Sequence, residues 1–199
     1  MADDAVECQL ESNGEMWDED QMLVSAALQN TEAAGRLYDK YYSDILGYIY
    51  RCTFDRTVAE DLTSNVFLSA FRHLGQYRWR QVPFRAWLYR IATNEVRMYW
   101  RRQKRVKIIS LQPDNEEHNS APSAVDSTAA SEEYRLVHKA LLELPLKYRT
   151  VIILRYFEGK VIAEICEITN RKEGTVKSQL HRGLARLQDI LVQRGVLPG

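Results

Sequence analysis

From Ser110 to Ser131 the chain reads SLQPDNEEHNSAPSAVDSTAAS, rich in Ser, Ala, Pro, Asp and Glu and without an apolar stripe at helical spacing. A segment of this kind has too little apolar surface to offset the entropy of ordering it, and it reads as a flexible, extended linker. It divides 199 residues into two parts, each the length of a small domain. On both sides apolar residues recur three and four apart, with no strand-like run between them. The expected fold is therefore all-α, with two small helical domains at residues 19–107 and 132–194 joined by a linker at 108–131. Residues 1–18 are acidic and short of core side chains, and are expected to be disordered.

In the N-terminal part, a first helix is expected over Asp20–Leu28 with Met22, Leu23, Ala26 and Ala27 inward. A longer one starts at Thr31 and carries Leu37, Tyr41, Ile45, Tyr48 and Ile49. A turn at Asp55–Thr57 leads to a third helix, Val58–His73, with Leu62, Val66, Phe67, Ala70 and Phe71 inward and Gly75 as its C′ residue. A fourth begins near Pro83, whose missing N–H costs nothing in a first turn. Its apolar face is Phe84, Trp87, Leu88, Ile91 and Ala92.

The formal net charge is zero, but it is distributed in blocks. Residues 1–35 hold nine acids and no Lys or Arg, residues 72–107 hold eleven basic residues and one acid, and residues 135–199 hold twelve basic residues and six acids. Two basic modules are thus preceded and separated by acidic segments, and a neutral total does not exclude a nucleic-acid partner. In the basic block Tyr77, Trp79, Phe84, Trp87, Tyr89, Tyr99 and Trp100 lie among the arginines. Guanidinium groups displace phosphate counterions, and aromatic faces stack on unpaired bases. Together they suit a nucleic acid whose strands are separating. Arg90, Asn94, Arg97 and Arg101 recur on one helical face, away from the apolar one, and offer three charges for phosphate and one amide for a base edge. Tyr77, Trp79 and Arg80 precede that helix on a loop; a loop aromatic can capture a base, or can be a lid over the domain's own core.

In the C-terminal part, Leu136, Ala140 and Leu141 line one helix, and Leu144-Pro145 ends it. Tyr148, Val151, Ile152 and Leu154 lie on the next. Helices at Val161–Ile168 and Glu173–Gln193 are joined by Thr169-Asn170, a helix-turn-helix pattern in which Asn170 tolerates positive φ. Val176, Leu180, Leu184 and Leu187 form the expected buried stripe of the last helix, leaving Lys177, Ser178, His181 and Arg182 to enter a major groove. Cys8, Cys52 and Cys166 are isolated and fit a reducing cytoplasm, with Cys52 and Cys166 read as small buried hydrophobes. No Cys/His spacing suits a metal, no cofactor is expected, and no apolar run is long enough to insert in a membrane.

Four landmarks, in order, resemble the sigma-70 family of RNA polymerase sigma factors, extracytoplasmic-function group, across Asp18–Leu191. DRTVAEDLTSNVFLSAF resembles the family's core-polymerase-binding helix, FRAWLYRIATNEVRMYWRR its promoter-melting and minus-ten-reading helix, LPLKYRTVIILRYFEG the opening of its fourth region, and GTVKSQLHRG its minus-thirty-five recognition helix. The resemblance implies a cytoplasmic, non-enzymatic subunit that binds core polymerase, directs promoter recognition and melting, and is held by an anti-sigma factor. It implies contact with the clamp helices of the beta-prime subunit through Glu60, Asp61, Leu62, Ser64, Asn65, Phe67 and Leu68. It puts minus-ten reading and melting on Tyr77, Trp79, Arg80, Arg90, Asn94, Arg97 and Arg101. It puts minus-thirty-five reading on Lys172, Gly174, Thr175, Lys177, Ser178, Gln179, His181, Arg182 and Arg186. Departures from the family's pattern are Ser64 for Gln, Asn65 for an acid, Cys166 for Ala, Asn170 for Gly, Lys172 for Pro or a small residue, and Gln179 for Arg. The alternative is a helix-turn-helix regulator that binds duplex DNA without being a polymerase subunit. It accounts for Gly174–Arg186 but not for the aromatic-basic stretch. A nuclease would need a carboxylate cluster in the basic block, and Glu95 is the one acid there.

Overall fold

Asn30 and Asp55 set the frame of the N-terminal half. Each accepts from a backbone N–H of the helix it precedes, Asn30 from Glu32 at 2.8 Å and Asp55 from Val58 at 3.0 Å, so that the first orphan donors are satisfied. Between the two helices, Phe54 takes a left-handed φ of 56° and its N–H returns to Tyr50. The turn is therefore only Phe54–Asp55, and Arg56 and Thr57, expected in the turn, are already helical. These relations come from a computed structural model, which describes residues 19–78, 82–109 and 132–196.

The helices in order are α1 (residues 19–27), α2 (Thr31–Thr53), α3 (Arg56–His73), α4 (Phe84–Ile109), α5 (Glu132–Glu143), α6 (Leu146–Ile152), α7 (Ile162–Thr169) and α8 (Glu173–Gln193), with no strand among the described residues. Helices α2, α3 and α4 pack on one another, and α1 is tied to α2 through Asp20, which pairs with Lys40 at 2.9 Å. In α1 the buried pair is Leu23 and Val24, while Met22 and Ala26, expected inward, are exposed. The cause is Asp20, which is buried beneath Lys40 and the Tyr41 hydroxyl. Fixing Asp20 inward brings the positions three and four residues later to the same face.

Helix α3 passes into a short 3-10 turn, Leu74–Gln76. Gly75 does not close it with a left-handed φ, as expected of a C′ residue; Leu74, pulled into the core, ends the helix instead. Pro83 supplies the first acceptor of α4, from the Trp87 N–H at 3.1 Å. Along α4 the buried line is Phe84, Leu88, Tyr89, Ala92, Thr93 and Val96, with Trp87 and Ile91 half-buried on its flank. The helix runs to Ile109, two residues beyond the expected end of the domain.

In the C-terminal half α6 crosses α8 at Gly183, where a Cβ would lie 3.0 Å from Ile152 and 3.1 Å from Tyr148. That crossing rotates α8 so that Gln179, Leu180 and Gly183 are buried and Leu184, expected in the stripe, is exposed. Helix α6 continues through a wider turn, Ile153–Phe157, in which the Glu158 N–H donates to Ile153 at 3.0 Å, five residues back. Asn170 takes the left-handed φ of 53° that the α7–α8 turn requires. Cys166, expected to be buried, is half-exposed.

A linker of the composition found at 110–131 imposes no orientation on what it joins, yet the two halves meet through specific buried groups. The Arg149 guanidinium is 4% exposed and donates to Leu141, Leu142 and Leu144 at the end of α5 and to Cys52 at the end of α2. Helix ends leave carbonyls without intrahelical partners, and one guanidinium serves two such ends. It also lies 4.9 Å from the Trp100 ring. Glu158, just past the wide turn, accepts from Arg51 on α2 at 2.8 Å and from the Tyr89 hydroxyl on α4 at 2.7 Å. His138 stacks on Phe54 across the boundary, with ring centroids 5.2 Å apart.

Candidate nucleic-acid interface

Helix α8 presents a continuous polar row. Lys172, Gly174, Thr175, Lys177, Ser178, His181, Arg182 and Arg186 are all exposed. Ser178 returns its hydroxyl to Thr175 at 3.0 Å, Lys177 pairs with Glu173 one turn back, and Arg186 lies 5.1 Å from the Tyr148 ring. Gln179 does not belong to this row. It is 8% exposed, on the side that meets α6, and its Oε1 has no partner. A side chain three residues after Val176 and four before Gly183 falls on the buried side of α8.

The α4 row is arranged differently. Arg90 donates twice to the Glu167 carbonyl near the end of α7, at 2.9 and 2.5 Å, and its guanidinium is 3.4 Å from the Glu167 carboxylate. Arg97 donates to Asn94 at 3.3 Å and lines a cleft with Lys147, Thr150, Thr169 and Arg171 of the other half. Asn94 and Arg101 are exposed. Half of this row thus faces the C-terminal domain. Ahead of it, Tyr77 packs against Phe84 and Trp87 with centroids 5.7 and 5.0 Å away, and its hydroxyl donates to Val82 at 2.7 Å. Of the two roles open to a loop aromatic, Tyr77 shows the packed one: it is part of the domain's aromatic packing, which is how its phenol comes to be raised by burial. Trp79 and Arg80 lie outside the described residues.

On α3 the expected contact residues separate by helical phase. Glu60, Asp61, Ser64, Asn65 and Leu68 are exposed, whereas Leu62 and Phe67 are buried in the domain's own core. Leu68, 54% exposed among polar neighbours, is an apolar side chain on a polar patch.

The boundary between halves holds His138, Arg149, Glu158 and Lys160, to which the sequence alone assigns no role, together with Tyr89 of the aromatic-basic block. Burial lowers the Arg149 guanidinium to about 10 and also lowers the Lys160 ammonium, which sits 4.8 Å from the Tyr89 ring. Burial pushes the Cys52 thiol up to about 12, so that it is a small hydrophobe and not a nucleophile. Burial lowers the His138 imidazole, which donates from Nδ1 to the Tyr134 carbonyl at 3.0 Å and has no partner at Nε2. One signal was available: Arg149 interrupts the apolar run Tyr148–Leu154, and a charge at a buried phase needs partners. Among the described residues no group of His, Cys, Asp and Glu could hold a metal ion, and no helix is long and apolar enough to cross a membrane.

Comparison with known proteins matches two family profiles, Sigma-70 region 2 over residues 37–106 and Sigma-70 region 4 over residues 134–187. The chain is 29% identical over 173 residues to the ECF RNA polymerase sigma factor BldN of Streptomyces coelicolor, covering 86% of this chain and 65% of that protein. It is 30% identical over 165 residues to the ECF RNA polymerase sigma factor SigW of Bacillus subtilis, covering 79% of this chain and 88% of that one. Its fold is similar to that of the sigma factor RpoE of Bartonella quintana, solved with the anti-sigma factor NepR, with a TM-score of 0.64 and 23% identity over 79% of this chain and 95% of that chain.

Proposed function

This chain belongs to the sigma-70 family of RNA polymerase sigma factors, in its extracytoplasmic-function group, and on that premise we propose how its surfaces divide the work of initiation. As a sigma factor it binds core RNA polymerase and directs promoter recognition, DNA melting and the start of transcription. The family consists of initiation factors; the chemistry of RNA synthesis belongs to the polymerase, and this chain contributes binding alone. Its place of work is the cytoplasm.

The exposed face of α3, with Glu60, Asp61, Ser64, Asn65 and Leu68, meets the clamp helices of the beta-prime subunit. Leu68 is the apolar anchor and the carboxylates form the rim, while Leu62 and Phe67 hold α3 in place from beneath. The α8 row, led by Lys177, Ser178, His181 and Arg182, enters the major groove at the minus-thirty-five element, where a well-placed basic side chain discriminates one base by about 1–3 kcal/mol. Gln179 supports that helix from its buried side and reads nothing. Asn94, Arg97 and Arg101, joined by Arg90, hold the separated non-template strand, and Trp79 with Arg80 acts on the same strand. Stacking on an aromatic face is worth about 1–3 kcal/mol per base, close to the cost of unstacking it, so the arginines must supply the balance. An anti-sigma factor is the regulatory partner.

The observation that carries this reading is the presence, on one chain and in family order, of two chemically distinct basic helices: α8 with a polar row alone, and α4 with a polar row backed by aromatics. A duplex-binding regulator has use for the first only. Reconstituted transcription with core polymerase across a promoter library tests it; promoter-dependent transcripts are expected. A chain that binds duplex DNA yet neither co-purifies with core polymerase nor opens a promoter would establish the regulator instead.

A further inference from the structure

Lys40, Arg51, Arg85, Arg90 and Arg194 each reach another element by way of a carboxylate. The cleft at Arg97 departs from this pattern. Arg97 of α4, Lys147 of α6 and Arg171 of the α7–α8 turn come from separate elements, yet they line one cleft of about 220 Å³. No acid lines it, and among the described residues none of these cations has a carboxylate partner. Arg97 meets only Asn94, at 3.3 Å, and Lys147 lies 4.9 Å from the Tyr148 ring. Thr150 lines the same cleft, and its hydroxyl has no partner among the described residues, whereas the Thr169 hydroxyl is already donated to Ile165 at 2.6 Å. Leu146 and Val151 give the cleft an apolar wall. We propose that this cleft is a binding site for a condensed phosphate, a small anion of the pyrophosphate type, held by Arg97, Lys147 and Arg171 with a hydrogen bond from Thr150.

The donor set selects that class of ligand. Like charges gathered against a low-dielectric wall repel one another and focus their field into the cleft, and an anion placed there relieves the repulsion. Two guanidinium forks match phosphate oxygens in pairs, and an ammonium adds a point charge. A lone halide or carboxylate leaves most of these donors unused, while adjoining phosphoryl groups engage all three cations. Clefts that enclose a whole drug-sized ligand run to about 300–1,000 Å³, so this smaller one seats a diphosphate rather than a complete nucleotide. Arg97 belongs to both the cleft and the proposed strand-holding row of α4, so a bound anion and an opened strand compete for it.

The site itself does not rest on the strand-holding reading; only the competition does, and the test separates them. Sodium pyrophosphate is titrated into the full chain by calorimetry, with ionic strength held constant because screening alone weakens such contacts. A single saturable site is expected. Lys147→Ala and Arg171→Ala should each weaken it about tenfold, and Thr150→Val about threefold. Arg102→Ala with Lys104→Ala, which removes exposed charges of α4 outside the cleft, should stay within about twofold of the parent. Sulfate should bind about tenfold more weakly than pyrophosphate. Absence of saturable binding, an equal loss in the Arg102/Lys104 pair, or sulfate binding as tightly overturns the site. Lys147 is exposed, so its variant decides if Thr150→Val loses a cooperative melt. A DNA strand carries the same phosphate chemistry, and anisotropy with labelled oligo(dT) tells the two sources apart. Lys147→Ala with Arg171→Ala should bind oligo(dT) within about twofold of the parent. If that pair loses oligo(dT) along with pyrophosphate, the cleft seats a strand phosphate and the assignment to a free anion falls. Saturating pyrophosphate should weaken oligo(dT) binding by the parent about threefold and leave the pair unchanged. Pyrophosphate that binds as described without moving oligo(dT) supports the site and refutes only the part of Arg97 in holding a strand.

Discussion

Helices α4 and α8 are both long, basic and amphipathic, yet they stand in opposite relations to the rest of the molecule. Helix α8 buries one side against α6 and shows the other whole, because Gly183 lets the two helices approach closely and, among the described residues, no element lies over the polar row. Helix α4 is held on two sides, by α2 and α3 beneath and by α7 across half of its polar row. Charge alone does not tell these situations apart. An arginine that reads as a phosphate ligand in sequence is, in α4, already serving as a hydrogen-bond donor to a neighbouring helix end.

The strongest way to break that contrast is Arg149. Replacing it with Ala strips four carbonyls, three of them buried, of a charged donor, and a lost set of charged hydrogen bonds costs more than about 3 kcal/mol, read as a fall in urea midpoint. Arg149→Lys should recover little, since an ammonium cannot span both helix ends as a planar guanidinium does. A loss below about 1 kcal/mol would mean that water replaces the guanidinium and that the boundary is wet.

Gly183→Ala probes α8 alone. Its new Cβ presses on the Tyr148 Cβ, which is fixed to the backbone, and overpacking of this kind costs about 1–3 kcal/mol. The C-terminal half should melt earlier and duplex binding should fall, with oligo(dT) binding retained through α4. A neutral Gly183→Ala would show that the α6–α8 crossing has slack. Arg182→Ala leaves the fold alone and should weaken promoter-duplex binding about tenfold, with binding to core polymerase unchanged; equal promoter affinity would move the reading face off this side of α8.

The smallest expected effect is on pH. His138 is buried among Phe54, Tyr134 and Phe157, with Arg51 the nearest charge acting on it and Glu158 paired to that same Arg51. Burial lowers its folded value below the ordinary 6.5. The unfolded or opened chain therefore takes up a proton first as pH falls. The associated stability is present in full above about pH 6.5 and is lost progressively below it. His138→Phe should flatten the thermal midpoint between about pH 7 and 5 relative to the parent; identical pH slopes would exclude His138 as their source.

What was legible in the sequence follows from what periodicity measures. The stripe Leu37, Tyr41, Ile45, Tyr48, Ile49 is regular because a long helix buries one face against its own domain, and the structure buries every one of them. The phase of α1 was misread because a buried Asp20, held by Lys40 and Tyr41, governs it, and an acid is not scored as an inward position. Leu184 was misassigned for a related reason: the axis of the α6 crossing runs through a glycine, which carries no hydrophobic signal. At the candidate sites, the exposed residues of α8 were readable from helical phase except for Gln179, whose burial depends on that same crossing. The groups at the boundary between halves were not readable. Tyr89, His138 and Glu158 are polar or aromatic residues whose partners lie in the other domain, and no local pattern records a contact that the chain makes only after both halves have folded.

The wide turn at Ile153–Phe157 adds one more consequence. It inserts a residue into the cycle of an otherwise continuous helix, and each residue of an α-helix advances the azimuth by 100°. Glu158 faces Arg51 and Tyr89 only because of that added step. Deleting one residue within this turn would allow an uninterrupted α-helix while swinging Glu158 about a quarter-turn off its partners. The coupling between the two halves is thus stored as a phase offset, and a single codon's length is enough to erase it, with Ile153 and Leu154 of the same turn shifted in the core.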